Sequence, residues 1–382
     1  MSKRTVAFVT GTRAESGLMR RTLVALGRHP KIDLKLVVTG MHTDAAVGAI
    51  EGTLIDGRTP DALIPWPQVA GGADVARAVA TGRVSAELAG VYETLGVDIV
   101  LVVGDRVEAF AAAAAGHLSG RVVAHVHGGD RALGQMDDSL RHAITKLSHL
   151  HLAATQNSAR RIIRMGERPE QVHVVGSPGI DGIVAEAAGP RRLRKLLGTL
   201  AGAYALLVHH PTRSDAAAEA ALATRLLAVV REQVPGICLI DPNNDPGHEG
   251  IRTTWQAAER DPAGKVVRFA NLTRADFLGL MRDARLLAGN SSSGIIEAGS
   301  FGTPVLNVGP RQAGRERGGN VISCGESTRA MTGGLRRLLA VSPEGRIPAT
   351  NPYGGEGTAE RIVKLLAGVP LTPAFRSKLI RY

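Results

Sequence analysis

Short runs of aliphatic and β-branched residues alternate with longer stretches of helical periodicity from the start of the chain. The first series is TVAFVT (5–10), DLKLVVTG (33–40), VDIVLVVGD (97–105), RVVAHVHGG (121–129), HLAAT (151–155) and QVHVVGS (171–177). The second is YALLVHHPT (204–212), GICLID (236–241), KVVRFAN (265–271), RLLAGNS (285–291) and PVLNVG (304–309). Apolar strands separated by helices predict parallel, doubly wound sheets. The pattern therefore reads as an α/β protein of two Rossmann-like domains in tandem, joined near SPGIDGIVAEAAGP (177–190). The halves share an architecture and no sequence repeat.

Ligands of such sheets bind beyond the carboxyl ends of the strands, and the polar residues of this chain gather there. GTRAESG (11–17), GDR (104–106), HVHGGDRALGQMDD (125–138), HHPTRSD (209–215) and GNSSSG (289–294) each follow a strand. Five such ends in two domains are expected to converge on one cleft.

A chain of 382 residues with 44% hydrophobic content has the length and apolar mass for two globular domains. Its 46 Lys and Arg against 35 Asp and Glu leave a formal charge of +11, which suits a polyanionic partner. With 3% aromatics and no interleaving of basic and aromatic residues, stacking on single-stranded nucleic acid is disfavoured. A small phosphorylated ligand is favoured, with no nucleic acid or membrane as partner. Cys238 and Cys324 lack metal-ligand spacing and read as reduced thiols. The apolar stretch after the basic start is too short for a signal sequence, and no segment approaches transmembrane length, so the cytoplasm is the expected location.

In GTRAESG, amides at a helix start would meet an anion and Arg13 would add a forked donor, or the stretch is simply a helix-starting turn. GNSSSG offers Ser291, Ser292, Ser293 and Gly294 to a diphosphate, with Glu297 about one turn further on to accept hydroxyls of a ribose. The plainer alternative makes one serine or Asn290 a helix cap, but three serines exceed what capping needs. Arg311, on the loop GPRQAGRERGGN (309–320), is a candidate diphosphate clamp, whereas Arg315 and Arg317 read as surface. His209 and His210 end a strand, either facing a ligand or capping a loop.

The stretch DDSLRHAITKLSHLHL (137–152) carries Leu140, Ala143, Ile144, Leu147 and Leu150 at helical intervals and Asp138, Arg141, His142 and Thr145 opposite, with Asp137 or Asp138 as N-cap. One reading is a capped helix with solvated charges. The other gathers His125, His127, Asp130, Asp137 or Asp138, and Asp105 around one mouth, where neighbouring carboxylates raise one another's pKa for acid and base work. No H-x-x-x-H spacing supports a metal, and none is expected. His149 reads as surface, and His151 stays open.

The motifs VTGTRAESGL, VTGMH, LVVGDR, AHVHGGD, DDSLRHAITKLSHLH, GSPGID, PNNDPG and GNSSSGIIEAGSFGTPVLNVGPRQAGR, in this order from about residue 5 to about 325, resemble the hydrolysing UDP-N-acetylglucosamine 2-epimerase family of the bacterial sialic-acid type. The resemblance implies a glycosyltransferase-B-like pair of Rossmann-like domains facing a deep cleft, and a reaction with no cofactor. It further implies loss of the C2 proton as UDP departs, an enzyme-bound 2-acetamidoglucal, and addition of water to give N-acetylmannosamine. By motif, Asp105, Asp137 and Asp138 resemble the acid and base groups, His127 and Asp130 line the same pocket, and His210 faces the substrate. Ser291, Ser292, Ser293, Gly294 and Glu297, with Arg13, Arg106 and Arg311, resemble the nucleotide contacts. Asn244 and Asp245 of PNNDPG read as a turn. A homo-oligomer, dimer or tetramer, is expected on resemblance alone. The expected division is 1–180 for the domain with the acids and 181–382 for the nucleotide-binding domain, with the C-terminal helix packing back on the first.

Two positions depart from the family pattern: Ser16 replaces the usual aromatic, and Asp130 the common glutamate. Both bear on the sugar's substituents. The alternatives are therefore the same chemistry on a UDP-2,4-diacetamido-trideoxyhexose or another nucleotide sugar, a non-hydrolysing epimerase, a two-domain glycosyltransferase, and a nucleotide-sugar sensor.

Overall fold

The structure is a computed structural model that describes residues 3–43, 57–70, 72–131, 136–200, 203–243, 245–261, 264–343, 345–348, 350–379 and 381. It divides into two compact units, Met1–Asp181 with Tyr353–Tyr382, and Gly182–Pro352. The second unit thus ends at Pro352, and the last segment of the chain belongs to the first.

Unit 1 is built on seven strands, β1 (Arg4–Thr10), β2 (Ile32–Val38), β3 (Ala62–Leu63), β4 (Ile99–Val103), β5 (Val122–Val126), β6 (Leu150–Ala153) and β7 (Val172–Val174). Their order is β3-β2-β1-β4-β5-β6-β7, and every neighbour pair is parallel. The direction of winding reverses between β1 and β4, so the ends of those strands border the crevice where such sheets take ligands. One face of the sheet packs on the helix Arg13–Arg28 through Met19, Leu23 and Leu26, together with Ile362, Val363 and Leu366 of the C-terminal helix Thr358–Gly368. The other face packs on Val84, Leu88 and Tyr92 of the helix Ala73–Thr94 and on the alanine-rich helix Val107–Leu118. With both faces covered, the central strands are largely apolar, and β4 and β5 are buried throughout, His125 of β5 included.

Unit 2 has six parallel strands, β8 (Tyr204–Val208), β9 (Gly236–Ile240), β10 (Lys265–Phe269), β11 (Leu286–Gly289), β12 (Val305–Val308) and β13 (Val321–Cys324). Their order is β10-β9-β8-β11-β12-β13, with the reversal between β8 and β11. Trp255, Leu226, Val230 and Leu335 fill one face, and Leu193, Leu280 and Met281 the other. No helix among the described residues is long and apolar enough to cross a membrane.

Candidate active site

In unit 1 the strand ends on either side of the reversal are Thr10–Gly11 and Gly104–Asp105, and β5 next to them leads into His127–Asp130. Part of the turn after β1 is already occupied from within. Glu15 closes a capping box with Thr12, its Oε2 accepting from the N–H groups of Gly11 (2.8 Å) and Thr12 (3.1 Å) while Thr12 Oγ1 accepts from Glu15 N–H. The expected anion contact through these amides is thereby replaced by an internal carboxylate. Burial, reinforced by the charge of Glu108, pushes the Glu15 carboxyl up to about 7, and its Oε1 is buried with no hydrogen-bond partner among the described residues. Glu108 lies in the same pocket, and Arg106 grips it through Nε (3.2 Å) and Nη2 (3.1 Å). Gly11 and Gly40 permit this arrangement, because a Cβ at either would come within 2.6 Å of Glu108. Arg13 opens the helix Arg13–Arg28, and its side chain lies outside the described residues, as does that of Asp137.

His127 is the only described non-glycine residue with positive φ, at 65°, a conformation costing on the order of 1 kcal/mol or more that persists when surroundings fix it. Its Nδ1 is 2.8 Å from Asp130 Oδ2 and its Nε2 is 3.0 Å from Ser177 Oγ. Asp130 Oδ1 accepts from Ser158 Oγ at 2.6 Å. Burial by itself would raise the Asp130 carboxyl, but the charge and hydrogen bond of His127, then Ser158 and Arg141, outweigh it and hold the group below the usual carboxylate range. The expectation of mutually raised carboxylates fails here, because hydrogen-bond donors and cations surround Asp130.

The helix Met136–Leu147 begins before both aspartates, so Asp137 and Asp138 lie inside its first turn and neither is its N-cap. Its polar face is only partly solvated. Arg141 and Thr145 are buried, and Arg141 donates to Asp138 Oδ1 (2.8 Å), the Asp130 carbonyl (2.8 Å) and Asp105 Oδ2. Asp105 and Asp138 remain partly open, with side chains 28% and 34% exposed.

His125 is interior and not at the mouth. Its Nε2 meets the Gly104 carbonyl at 2.8 Å and its Nδ1 meets Thr145 Oγ1 at 3.2 Å, and burial pushes it down to about 3. His149, expected at the surface, is buried: Nδ1 accepts from Val123 N–H at 3.0 Å, and the ring stacks on His117 at 5.3 Å. His151 is buried against Glu167 at 3.0 Å.

In unit 2, β8 and β11 flank the reversal, and their ends are stitched together. His210 N–H donates to Asn290 Oδ1 and Asn290 Nδ2 donates to the His210 carbonyl, both at 2.8 Å. Gly289, with φ 137°, makes the approach possible, since a Cβ there would lie 2.1 Å from the Val208 carbonyl. His210 Nδ1 accepts from Asn243 N–H at 3.1 Å, which leaves the proton of a neutral ring on Nε2. Burial, then the charge of Arg311, pushes this imidazole down to about 4. His209 turns inward and is buried 3.8 Å from Glu219.

Ser291 caps the short helix Ser292–Ile296, accepting from Ser293 N–H (3.3 Å) and bonding Ser293 Oγ (2.8 Å), while Ser292 is half-buried at its first position. Gly294 lets this helix sit on β11 and β12, with a Cβ there 3.0 Å from Val305. Glu297 follows the helix and accepts from Arg274 at 2.9 Å, and burial raises its carboxyl. Arg311 is exposed, reaching the Asn290 carbonyl at 3.2 Å beside Gln312 at 2.8 Å. Arg315 is half-buried and Arg317 exposed. Asp245 Oδ2 accepts from Asn243 Nδ2 at 2.5 Å, and Asn244 lies outside the described residues. No group of three or more His, Cys, Asp or Glu among the described residues is arranged to hold a metal.

Sequence reasoning passed over Glu15, Glu108 and Arg141 as site residues, and took Asn290 only as part of the serine cluster or as a helix cap. Thr12 followed by Glu15 is a capping-box spacing, and Arg141 stands three residues after Asp138; those two signals were legible. Glu108 is gripped by its near neighbour Arg106, but its place against Gly11 and Gly40, like the pairing of Asn290 with His210, joins stretches far apart in the chain.

A family model described as UDP-N-acetylglucosamine 2-epimerase matches residues 24–367. The chain is 38% identical over 392 residues, covering 99% of it and 100% of the relative, to UDP-N,N'-diacetylbacillosamine 2-epimerase (hydrolyzing) of Legionella pneumophila. It is 30% identical over 355 residues, covering 92% of it and 91% of the relative, to UDP-N-acetylglucosamine 2-epimerase of Neisseria meningitidis serogroup B. Its fold is similar to the crystal structure of UDP-GlcNAc 2-epimerase from Neisseria meningitidis bound to UDP-GlcNAc, with TM-score 0.74, 20% identity, and coverage of 95% of this chain and 99% of that one.

Proposed function

Because the chain belongs to the UDP-N-acetylglucosamine 2-epimerase family, we propose that it is a hydrolysing 2-epimerase that converts UDP-N-acetylglucosamine to UDP and N-acetylmannosamine. A base removes the proton from C2 as the C1–O bond breaks and UDP leaves with the electron pair. Water then adds its oxygen to C1 of the resulting 2-acetamidoglucal, and C2 is reprotonated on the opposite face. C2 is not acidic, so departure of the diphosphate has to drive proton loss, and donors at the diphosphate have to meet the developing charge.

The observation that carries the reading is the grouping of Asp105, Asp130 and Asp138 around buried Arg141 at the strand ends of unit 1. Asp105, Asp137 and Asp138 are assigned the proton transfers, with His127 and Asp130 shaping the sugar site. His210 acts as a neutral donor through Nε2. Ser291, Ser292, Ser293 and Gly294, together with Arg13, Arg106 and Arg311, are assigned the diphosphate, and Glu297 the ribose. The long relative named as hydrolysing supports release of free sugar over a non-hydrolysing outcome.

A second reading keeps the chemistry and changes the sugar to a UDP-linked 2,4-diacetamido-trideoxyhexose. Two observations favour it: the 38% identical relative bears that substrate in its name, and Ser16, in the place of an aromatic, is buried beside the first strand end. Incubation with a panel of nucleotide sugars in deuterated water tests both. Released UDP with deuterium at C2 of the free product supports hydrolytic epimerisation, and the preferred donor selects the sugar. An intact donor until an acceptor is added would mean a transferase.

A further inference from the structure

Arg141 is 3% exposed, yet it joins groups from three separate stretches of unit 1. Its Nη2 donates to Oδ2 of Asp105, which follows β4. Its Nη1 donates at 2.8 Å both to Oδ1 of Asp138, in the helix Met136–Leu147, and to the carbonyl of Asp130, in the loop after β5. A buried guanidinium is retained only when its charge is paired. Two carboxylates share this guanidinium, each held by one side, and both stay partly open. Asp105 Oδ1 accepts no hydrogen bond among the described residues, and Asp138 Oδ2 lies 3.4 Å from His142 Nε2.

We infer that Arg141 is a positioning residue for the proton transfers: it holds Asp105 and Asp138 at a fixed separation by one oxygen of each, leaves the second oxygen of each outside its grip, and neutralises part of the repulsion that would drive the two carboxylates apart. This rests on the functional reading above, in which those aspartates handle the C2 proton. The planar fork is essential to the role, because a lysine ammonium in the same place is a point charge on a flexible stem. Arg141 itself is closed off and makes no direct contact with substrate.

The test uses the full-length protein, Arg141→Ala and Arg141→Lys, with the nucleotide sugar that the wild type turns over best, reading kcat and KM for UDP release alongside the thermal midpoint. Loss of position at a reacting group costs on the order of 100-fold, so Arg141→Ala is expected to lose about that much in kcat with KM little changed. Guanidinium ion, added well below denaturing concentration, is expected to return part of that kcat by filling the vacated site. Arg141→Lys keeps the charge and is expected to fold and to lose about 10-fold in kcat, since it serves one carboxylate well and not two; it carries the test should Arg141→Ala fail to fold. A folded variant with wild-type kcat, or a loss of activity that only tracks the unfolded fraction and ignores guanidinium, overturns the inference. A wild type that releases no nucleotide from any sugar overturns the functional reading instead, and this inference with it.

Discussion

His127 gives one ring nitrogen to Asp130 at 2.8 Å and the other to Ser177 at 3.0 Å, so both of its polar atoms are committed within unit 1. A histidine bonded at both nitrogens is held in one orientation, and this one fixes Asp130 and Ser177 relative to each other. His127→Asn tests this, because asparagine tolerates the left-handed backbone at this position but cannot reach both partners. Turnover should fall about 100-fold with the melting profile largely kept. Ser177→Ala removes one hydrogen bond and should cost about 1 kcal/mol of stability with a small effect on rate. If Ser177→Ala instead abolished turnover, the serine would have a direct chemical part.

Glu15 makes stability fall as pH rises from mild acid to neutrality. Its carboxyl is raised from 4.5 to about 7, chiefly by burial. A raised folded pKa contributes stability that is complete below about pH 4.5 and is lost as pH rises through 7. Glu15→Gln keeps an acceptor for the Gly11 and Thr12 amides and never ionises. Relative to wild type, the variant should gain about 1–3 kcal/mol between pH 5 and pH 8, read as the difference in thermal midpoints. A difference that stays constant with pH would place the charge of Glu15 elsewhere.

The strands of both units were legible because buried parallel strands are apolar at nearly every position, and each predicted run overlaps an observed strand. β3 and β13 were not. β3 has two residues, and β13 is a half-buried edge whose VISC carries a weaker apolar signal. The helix after β5 is legible as a helix, but the sequence leaves its polar side open between solvated charges and acids gathered at one mouth. Periodicity locates the apolar stripe, whereas burial of Arg141 and Thr145 depends on counter-groups at Asp105 and His125, which the chain supplies from other strand ends. His149 was misread because the helix stops at Leu147 and β6 starts at Leu150, so the two-residue spacing to His151 had been judged on the wrong geometry. Placement of the acids at strand ends follows from topology; the lowered carboxyl of Asp130 follows from donors that only the folded chain assembles.

Acid acts on different groups. His149 is pushed down to about 4 by burial, with His117 and Lys378 adding to the effect, and His125 to about 3. A depressed folded pKa contributes stability present above the unfolded value of 6.5 and lost as pH falls toward 4 and then 3. His149→Asn retains an acceptor for Val123 N–H and cannot take a proton. Its thermal midpoint should lie below that of wild type at pH 8 and converge on it by pH 4. The Glu15 trend runs the opposite way between pH 4.5 and 6.5, so each effect is read from the difference between variant and wild type. Parallel curves for His149→Asn and wild type would rule the histidine out as a source of acid sensitivity.

The paired hydrogen bonds between Asn290 and His210 bind two strand ends across the reversal of unit 2, and Asn290 also accepts from Gln312 and Arg311 through its carbonyl. If the nucleotide is held here, the position of His210, Arg311 and the serines depends on that one amide. Asn290→Ala removes two side-chain hydrogen bonds of about 1 kcal/mol each, and affinity for UDP should fall about 10-fold to 100-fold by calorimetry. Asn290→Asp retains the acceptor for His210 N–H, but sets a carboxylate oxygen against the His210 carbonyl and adds a negative charge where a diphosphate is expected. It should bind UDP more weakly than Asn290→Ala, with the gap between the two narrowing as salt is raised. Equal UDP affinity for wild type and both variants would move the nucleotide away from the ends of β8 and β11.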